Sequence, residues 1–205
     1  MNSRDRTFLA LEHKTGDKIP IDFWATTSVI QNLEEKLGTP YEQFLDDCDV
    51  DLRYIEGPAY IGPPLPPGMD IWGVSRTAVS SRAPGQSESY SEVTKAPLSD
   101  AKTPEEIDAY AHWPNSDMFD YDVIEQQCDA IRQRDRVVVF MGDRLNRVAQ
   151  LKPAMYIRGS ENIFIDLMMR PDMAEAVFRK IREFYLVYLK RILEAAAGKI
   201  DIVLT

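Results

Sequence analysis

What most constrains this chain is the order of its apolar runs. Four short segments, at 19–24, 50–55, 137–142 and 200–204, alternate with longer stretches of helical pattern. The strongest reads Val137-Val138-Val139-Phe140-Met141-Gly142. A continuous β-branched run of that length is a strand buried on both faces. Strands that alternate with helices pair in parallel, because a right-handed crossover returns the chain to the same end of the sheet. The expected core is therefore four parallel strands in chain order. Pro20 stands near the start of the first, where a missing N–H costs least.

Helices are expected at 3–13, with Phe8, Leu9 and Leu11 as the apolar stripe, at 28–37 before Gly38, and at 41–47 after Pro40. Others are expected at 119–134, up to 158, at 161–169 and at 173–197. Thr103-Pro104-Glu105-Glu106 is a helix start, with Thr103 as cap and Glu106 reaching back to it. In the last helix Met173, Val177, Ile181, Phe184, Tyr188 and Ile192 recur at spacings of three and four. Asp172 would cap it and Gly198 stop it. Residues 56–67, rich in Gly and Pro, read as an ordered loop. The turn signal Pro84-Gly85 makes 71–95 a hairpin projecting from the core. Four strands cannot close an eight-stranded barrel, and the last has no following helix to cover it.

Charge narrows the function classes. Thirty-three acids against twenty-four bases leave a net charge of −9, which repels nucleic-acid phosphates. No apolar run has the length of a membrane span, and residues 1–6 carry no apolar stretch of the signal-peptide kind. The expectation is a cytoplasmic protein with neither a nucleic-acid nor a membrane partner. Cys48, Cys128, His13 and His112 supply neither a disulfide framework nor a spaced metal cluster, so no metal site is expected within the chain.

Several stretches, in order, carry a family resemblance. They are Ser3-Arg4-Asp5-Arg6 through Ala10-Leu11-Glu12-His13-Lys14, Asp17-Lys18-Ile19-Pro20-Ile21-Asp22-Phe23, Asp51-Leu52-Arg53, and Asp70-Ile71-Trp72-Gly73-Val74. Pro97-Leu98, Thr103 through Tyr110, Trp113-Pro114, Arg158-Gly159-Ser160-Glu161 and Asp201-Ile202-Val203 continue the set. Together they resemble the uroporphyrinogen decarboxylase superfamily. That resemblance implies an α/β fold, the N-terminal half of a TIM (β/α)8 barrel, with about four parallel core strands plus the projecting hairpin. It makes residues 1–205 an incomplete barrel domain and a fragment of a longer enzyme, inactive alone and prone to self-association.

Within the superfamily, the decarboxylases are expected to carry arginines after the first strand, to hold the substrate's carboxylates. A gapless comparison puts Ala25 and Val29 there. Their aspartate at the end of the second strand falls on Pro58, and a tyrosine falls on Met155, beside Tyr156. The opening is more similar to the corrinoid-linked methyltransferases, which move a methyl group to a thiol. The resemblance implies a small-molecule substrate or a corrinoid protein as partner. It puts zinc only in the missing C-terminal half, with no cofactor in this chain. A uroporphyrinogen III decarboxylase and a non-catalytic α/β binding module are the alternatives.

Active sites of such barrels stand at the C-terminal ends of the strands. The pocket candidates are accordingly Asp22 and Trp24 after the first strand, Glu56 and Tyr60 after the second, and Asp143, Arg144 and Arg147 after the third. The arginines would clamp an anionic group, or equally form surface ion pairs. Capping alone would account for Asp143. Asp22, a carboxylate in an apolar segment, needs a partner or a function. Trp24 serves packing or a ligand platform. No catalytic residue is assigned.

Overall fold

The valine run becomes the middle strand of a parallel sheet. A computed structural model describes residues 1–80, 89–142 and 149–204, and these fall into two compact units. The first comprises Met1–Gly57, Asp122–Met141 and Leu193–Leu204. Its sheet has β1 (Leu52–Tyr54), β6 (Val137–Phe140) and β7 (Ile202–Val203) in the order β1-β6-β7. Leu52 stands opposite Val137, and Val139 opposite Ile202, with both pairs of strands parallel. All four β6 residues are fully buried.

The expected first strand, 19–24, is a correction. The segment forms no strand and no ladder. Asp51 N–H donates to Ile21 O at 2.9 Å, and the Asp51 carboxylate accepts Ile21 N–H at 2.8 Å. Pro20 has no N–H to continue the alternation, and the Asp51 side chain takes the Ile21 donor that would otherwise seek a carbonyl. Ile19 stands 85% exposed.

Two buried carboxylates sit just before β1 and β7. Asp51, fully buried, accepts from Arg6, which also donates to Asp17 at 2.7 Å. Asp201 accepts from Arg4 at 2.7 Å, Arg132 at 3.2 Å and Val138 N–H at 2.9 Å. Arg4 and Arg6 lie on α1 (Ser3–Leu11), and these bonds set the helix's rotation. The expected apolar stripe is therefore not its inner face. Ser3, Arg6 and Thr7 are buried, while Phe8 and Leu11 are exposed. The helix α2 (Thr27–Leu37) ends at Gly38, φ +67°, and buries none of its residues. Next come α3 (Tyr41–Asp47) and α5 (Val123–Arg132), which buries Ile124 and Cys128.

The second unit comprises Pro58–Tyr121 and Gly142–Ile192 together with Thr205, of which 81–88, 143–148 and 205 lie outside the described residues. Phe119 and Asp120, expected in a helix, form β5 and pair antiparallel with β2 (Ala59–Tyr60). The hairpin strands β3 (Ser75–Ser80) and β4 (Ser89–Lys95) make a two-stranded sheet of their own. Thr103 caps α4 (Pro104–Asp108) by accepting Glu106 N–H, while Glu106 reaches Lys102 N–H rather than the cap's own. In α8 (Pro171–Ala195), Met173, Val177, Ile181, Phe184, Tyr188 and Ile192 are all buried. Helix α8 starts two residues before the expected position, so Asp172 lies in its first turn rather than at the cap.

Trp72 centres an aromatic cluster, with Phe184 at 5.2 Å, Tyr185 at 5.6 Å and Trp113 at 6.3 Å between ring centroids. Beside it Gly73 has φ +73°, and a side chain there would start 2.1 Å from the Tyr110 hydroxyl. That hydroxyl donates to Trp72 O, and burial, helped by the charge of Asp70, pushes its pKa up to about 12. The helices α6 (Leu151–Arg158) and α7 (Ser160–Met169) are joined by the buried pair Arg158–Asp166 at 2.8 Å. Among the described residues no helix is long and apolar enough to cross a membrane.

Two outcomes follow for stability. Replacing Asp201 with Ala strands Arg4, Arg132 and the Val138 N–H, and should cost about 2–3 kcal/mol in urea unfolding. Asp49 is held down to about 2 by hydrogen bonds from Arg136 and Lys18, and Asp17 lies well below the usual carboxylate range beside Arg6. Their folded-state values lie below the unfolded 3.8, so their stabilisation is present above about pH 4 and is lost as pH falls towards 2. The variant Asp17→Asn/Asp49→Asn should flatten the fall in melting temperature across that window.

Candidate functional site

At the C-terminal end of a parallel sheet, successive strands release their loops on the same side, and side chains from separate segments converge. In the first unit that end carries Asp22, Trp24, Tyr54 and Glu56. Phe23 turns inward, edge-on to Phe44 at 5.4 Å, and the Tyr41 hydroxyl donates to Phe23 O at 3.2 Å. These contacts leave Phe23 half-buried, whereas its neighbours Asp22 and Trp24 are both exposed.

Tyr54, the last residue of β1, donates its hydroxyl to Asp22 Oδ2 at 2.6 Å. The other Asp22 oxygen has no hydrogen-bond partner among the described residues. Just beyond β1, Gln127 of α5 grips Gly57 twice. Its Oε1 accepts the Gly57 N–H at 3.1 Å, and its Nε2 donates to the Gly57 carbonyl at 2.9 Å. Gly57 has φ +90°, and a side chain there would lie 3.3 Å from the Phe140 ring. The loop bearing exposed Glu56 is thereby fixed to α5. The arrangement can present an oriented carboxylate to a donor group such as a hydroxyl, thiol or ammonium.

Sequence reasoning placed Asp22 at a strand end in need of a partner, and the structure supplies Tyr54. It missed Tyr54 and Gln127. Nothing local marks either: Tyr54 lies inside the expected strand 50–55 and Gln127 inside the expected helix 119–134. Tyr60 lies in the second unit, where its hydroxyl donates to Pro63 O at 2.9 Å and its ring meets Phe119 edge-on. Asp143, Arg144 and Arg147 lie outside the described residues. Ala25 is buried and Val29 exposed. His13 and His112 are exposed, the latter 5.5 Å from the Tyr110 ring. Cys48 is exposed, whereas Cys128 is buried and its thiol pushed up by that burial. Among the described residues no group of three or more His, Cys, Asp or Glu side chains is placed to hold a metal ion.

Comparison with known proteins gives one informative likeness. No protein-family model matches the chain, and no curated protein matches it. A methyltransferase from Methanosarcina mazei shares its fold. The two superpose with a TM-score of 0.60 at 15% identity, over 99% of this chain and 58% of that one. At that identity the likeness is one of fold. The chain spans little more than half the length of the methyltransferase it matches.

Two measurements check this geometry. Tyr54→Phe removes the exposed hydrogen bond to Asp22, which should change stability by less than about 1 kcal/mol in urea. A thiol reagent should label Cys48 within minutes in the folded protein, and Cys128 only on unfolding.

Proposed function

We propose that this chain is the N-terminal half of a (β/α)8 barrel of the uroporphyrinogen decarboxylase superfamily. We further propose that the complete enzyme moves a methyl group from a corrinoid protein to a thiol. The observation that carries the reading is the pairing of a parallel sheet in chain order with a likeness covering nearly all of this chain but 58% of a methyltransferase. The ordered motifs from Ser3 to Val203 support the family.

In this reading Asp22, steadied by Tyr54, orients the polar end of the substrate at the barrel mouth, and Trp24 limits access of water. The described residues do not fit a zinc site. Zinc, whose chemistry would be to lower the pKa of the thiol, is assigned to the other half of the barrel, and no step here runs through it. The decarboxylase alternative is disfavoured at the positions expected to hold its arginines. Buried Ala25 and exposed Val29 cannot pair a carboxylate.

The test is methyl transfer from a methylated corrinoid protein to a thiol, followed by the corrinoid absorbance. The complete enzyme should be active and Asp22→Asn should lower its kcat/KM at least about tenfold, a loss of one charge-assisted contact. Carbon dioxide release from uroporphyrinogen, without methyl transfer, would replace this reading with the decarboxylase. Residues 1–205 alone should show neither activity. Their sheet edges lack strand partners among the described residues, so light scattering should report self-association. A monodisperse monomer with a sharp cooperative melt would favour a self-sufficient module.

A further inference from the structure

The second unit holds a buried cation whose donors are only partly used. Arg76 lies in β3 beside its bulge, where its backbone N–H donates to Gly68 O at 2.7 Å. Its side chain is 10% exposed. Nη1 pairs with Asp70 Oδ2. Asp70 is itself fixed, because its Oδ1 accepts the N–H groups of Trp72 at 2.9 Å and Val74 at 3.0 Å. The guanidinium centre stands 4.9 Å from the centroid of the Tyr156 ring on α6. Nη2 is closed off from solvent and has no hydrogen-bond partner among the described residues.

A second cation approaches the same ring. Lys152, one turn before Tyr156, brings its ammonium 5.8 Å from the ring centroid. It is exposed and has no ion-pair partner among the described residues. The two charges therefore lie within about 11 Å of each other around one aromatic face or edge. Asp70 balances one of them. In a chain of net charge −9 this is a local positive site. A guanidinium N–H buried without an acceptor is costly, and such a group calls for an explanation. A ligand that supplies the acceptor is one.

We propose that Arg76, Lys152 and Tyr156 bind a tetrahedral oxyanion, a phosphate or sulfate group. Nη1 is committed to Asp70 and the second cation, Lys152, approaches the Tyr156 ring separately, so an anion held by both must offer oxygens in different directions rather than one planar pair. A tetrahedral anion instead takes Nη2 on one oxygen and the Lys152 ammonium on another. The half-buried Tyr156 ring shifts to admit it. This site is separate from Asp22 and Tyr54 and does not depend on the methyl-transfer reading.

Calorimetric titration of the whole chain with inorganic phosphate, sulfate and acetate tests it. Phosphate and sulfate should bind at one saturable site, with acetate at least about tenfold weaker, the loss of one charged contact. Lys152→Met should weaken phosphate by about tenfold at an unchanged melting temperature, because Lys152 is exposed. Arg76→Lys should weaken it further. If Arg76→Lys does not fold, Lys152→Met and Tyr156→Leu decide. Wild-type phosphate affinity in Lys152→Met, acetate binding as tight as phosphate, or non-saturable binding overturns the proposal. Glycerol 3-phosphate separates the sources of the anion: tighter binding than phosphate assigns the terminal group of an organic phosphate, weaker binding a free inorganic anion.

Discussion

Two buried carboxylates hold the first unit together. Asp51 stands just before β1 and Asp201 just before β7, and each is met by an arginine of α1. Taking a carboxylate out of water is unfavourable by several kcal/mol unless its oxygens are well bonded. Here they are bonded to guanidinium groups and to backbone N–H groups at Ile21 and Val138. The same bonds that compensate the burial tie α1, the 19–24 segment and the strands into one arrangement. The fully buried valines of β6 can pack between layers because those layers are fixed from one end of the sheet.

That dependence explains what the sequence disclosed and what it withheld. The strand at 137–140 was readable because burial on both faces demands a continuous apolar run. The long helix was readable from the three-and-four spacing of Met173 through Ile192. The segment 19–24 has the composition of a strand, yet its pairing is decided by Asp51, thirty residues from Ile21 along the chain. Helix α1 was misread for the same reason. Its inner face is set by arginine partners far away, not by the apolar stripe that periodicity selects. Phe119 was read into a helix because its strand partner, Tyr60, is likewise remote.

At the candidate site, residue type carried Asp22 and fold carried Tyr54. A lone carboxylate in an apolar stretch announces a need, whereas its partner is known only once the fold brings the Tyr54 hydroxyl to it. Gln127 illustrates the limit. Its two hydrogen bonds to Gly57 span seventy residues, and an amide on an amphipathic helix gives no hint of that use. The likeness to a methyltransferase rests on the arrangement of elements rather than on shared residues, as 15% identity requires.

The bond between Arg4 and Asp201 joins residues 197 positions apart. During synthesis α1 emerges 197 residues before its partner Asp201. Until Asp201 appears, the start of β7 is missing and one of the two arginines that orient the helix has nothing to hold. The first unit therefore completes only after Asp201 has been made, and this contact closes a loop of 197 positions, a slow kind of closure. During synthesis the valine run of β6 waits with one flank uncovered, a period in which a chaperone, or a neighbouring nascent chain, can reach it before Asp201 does.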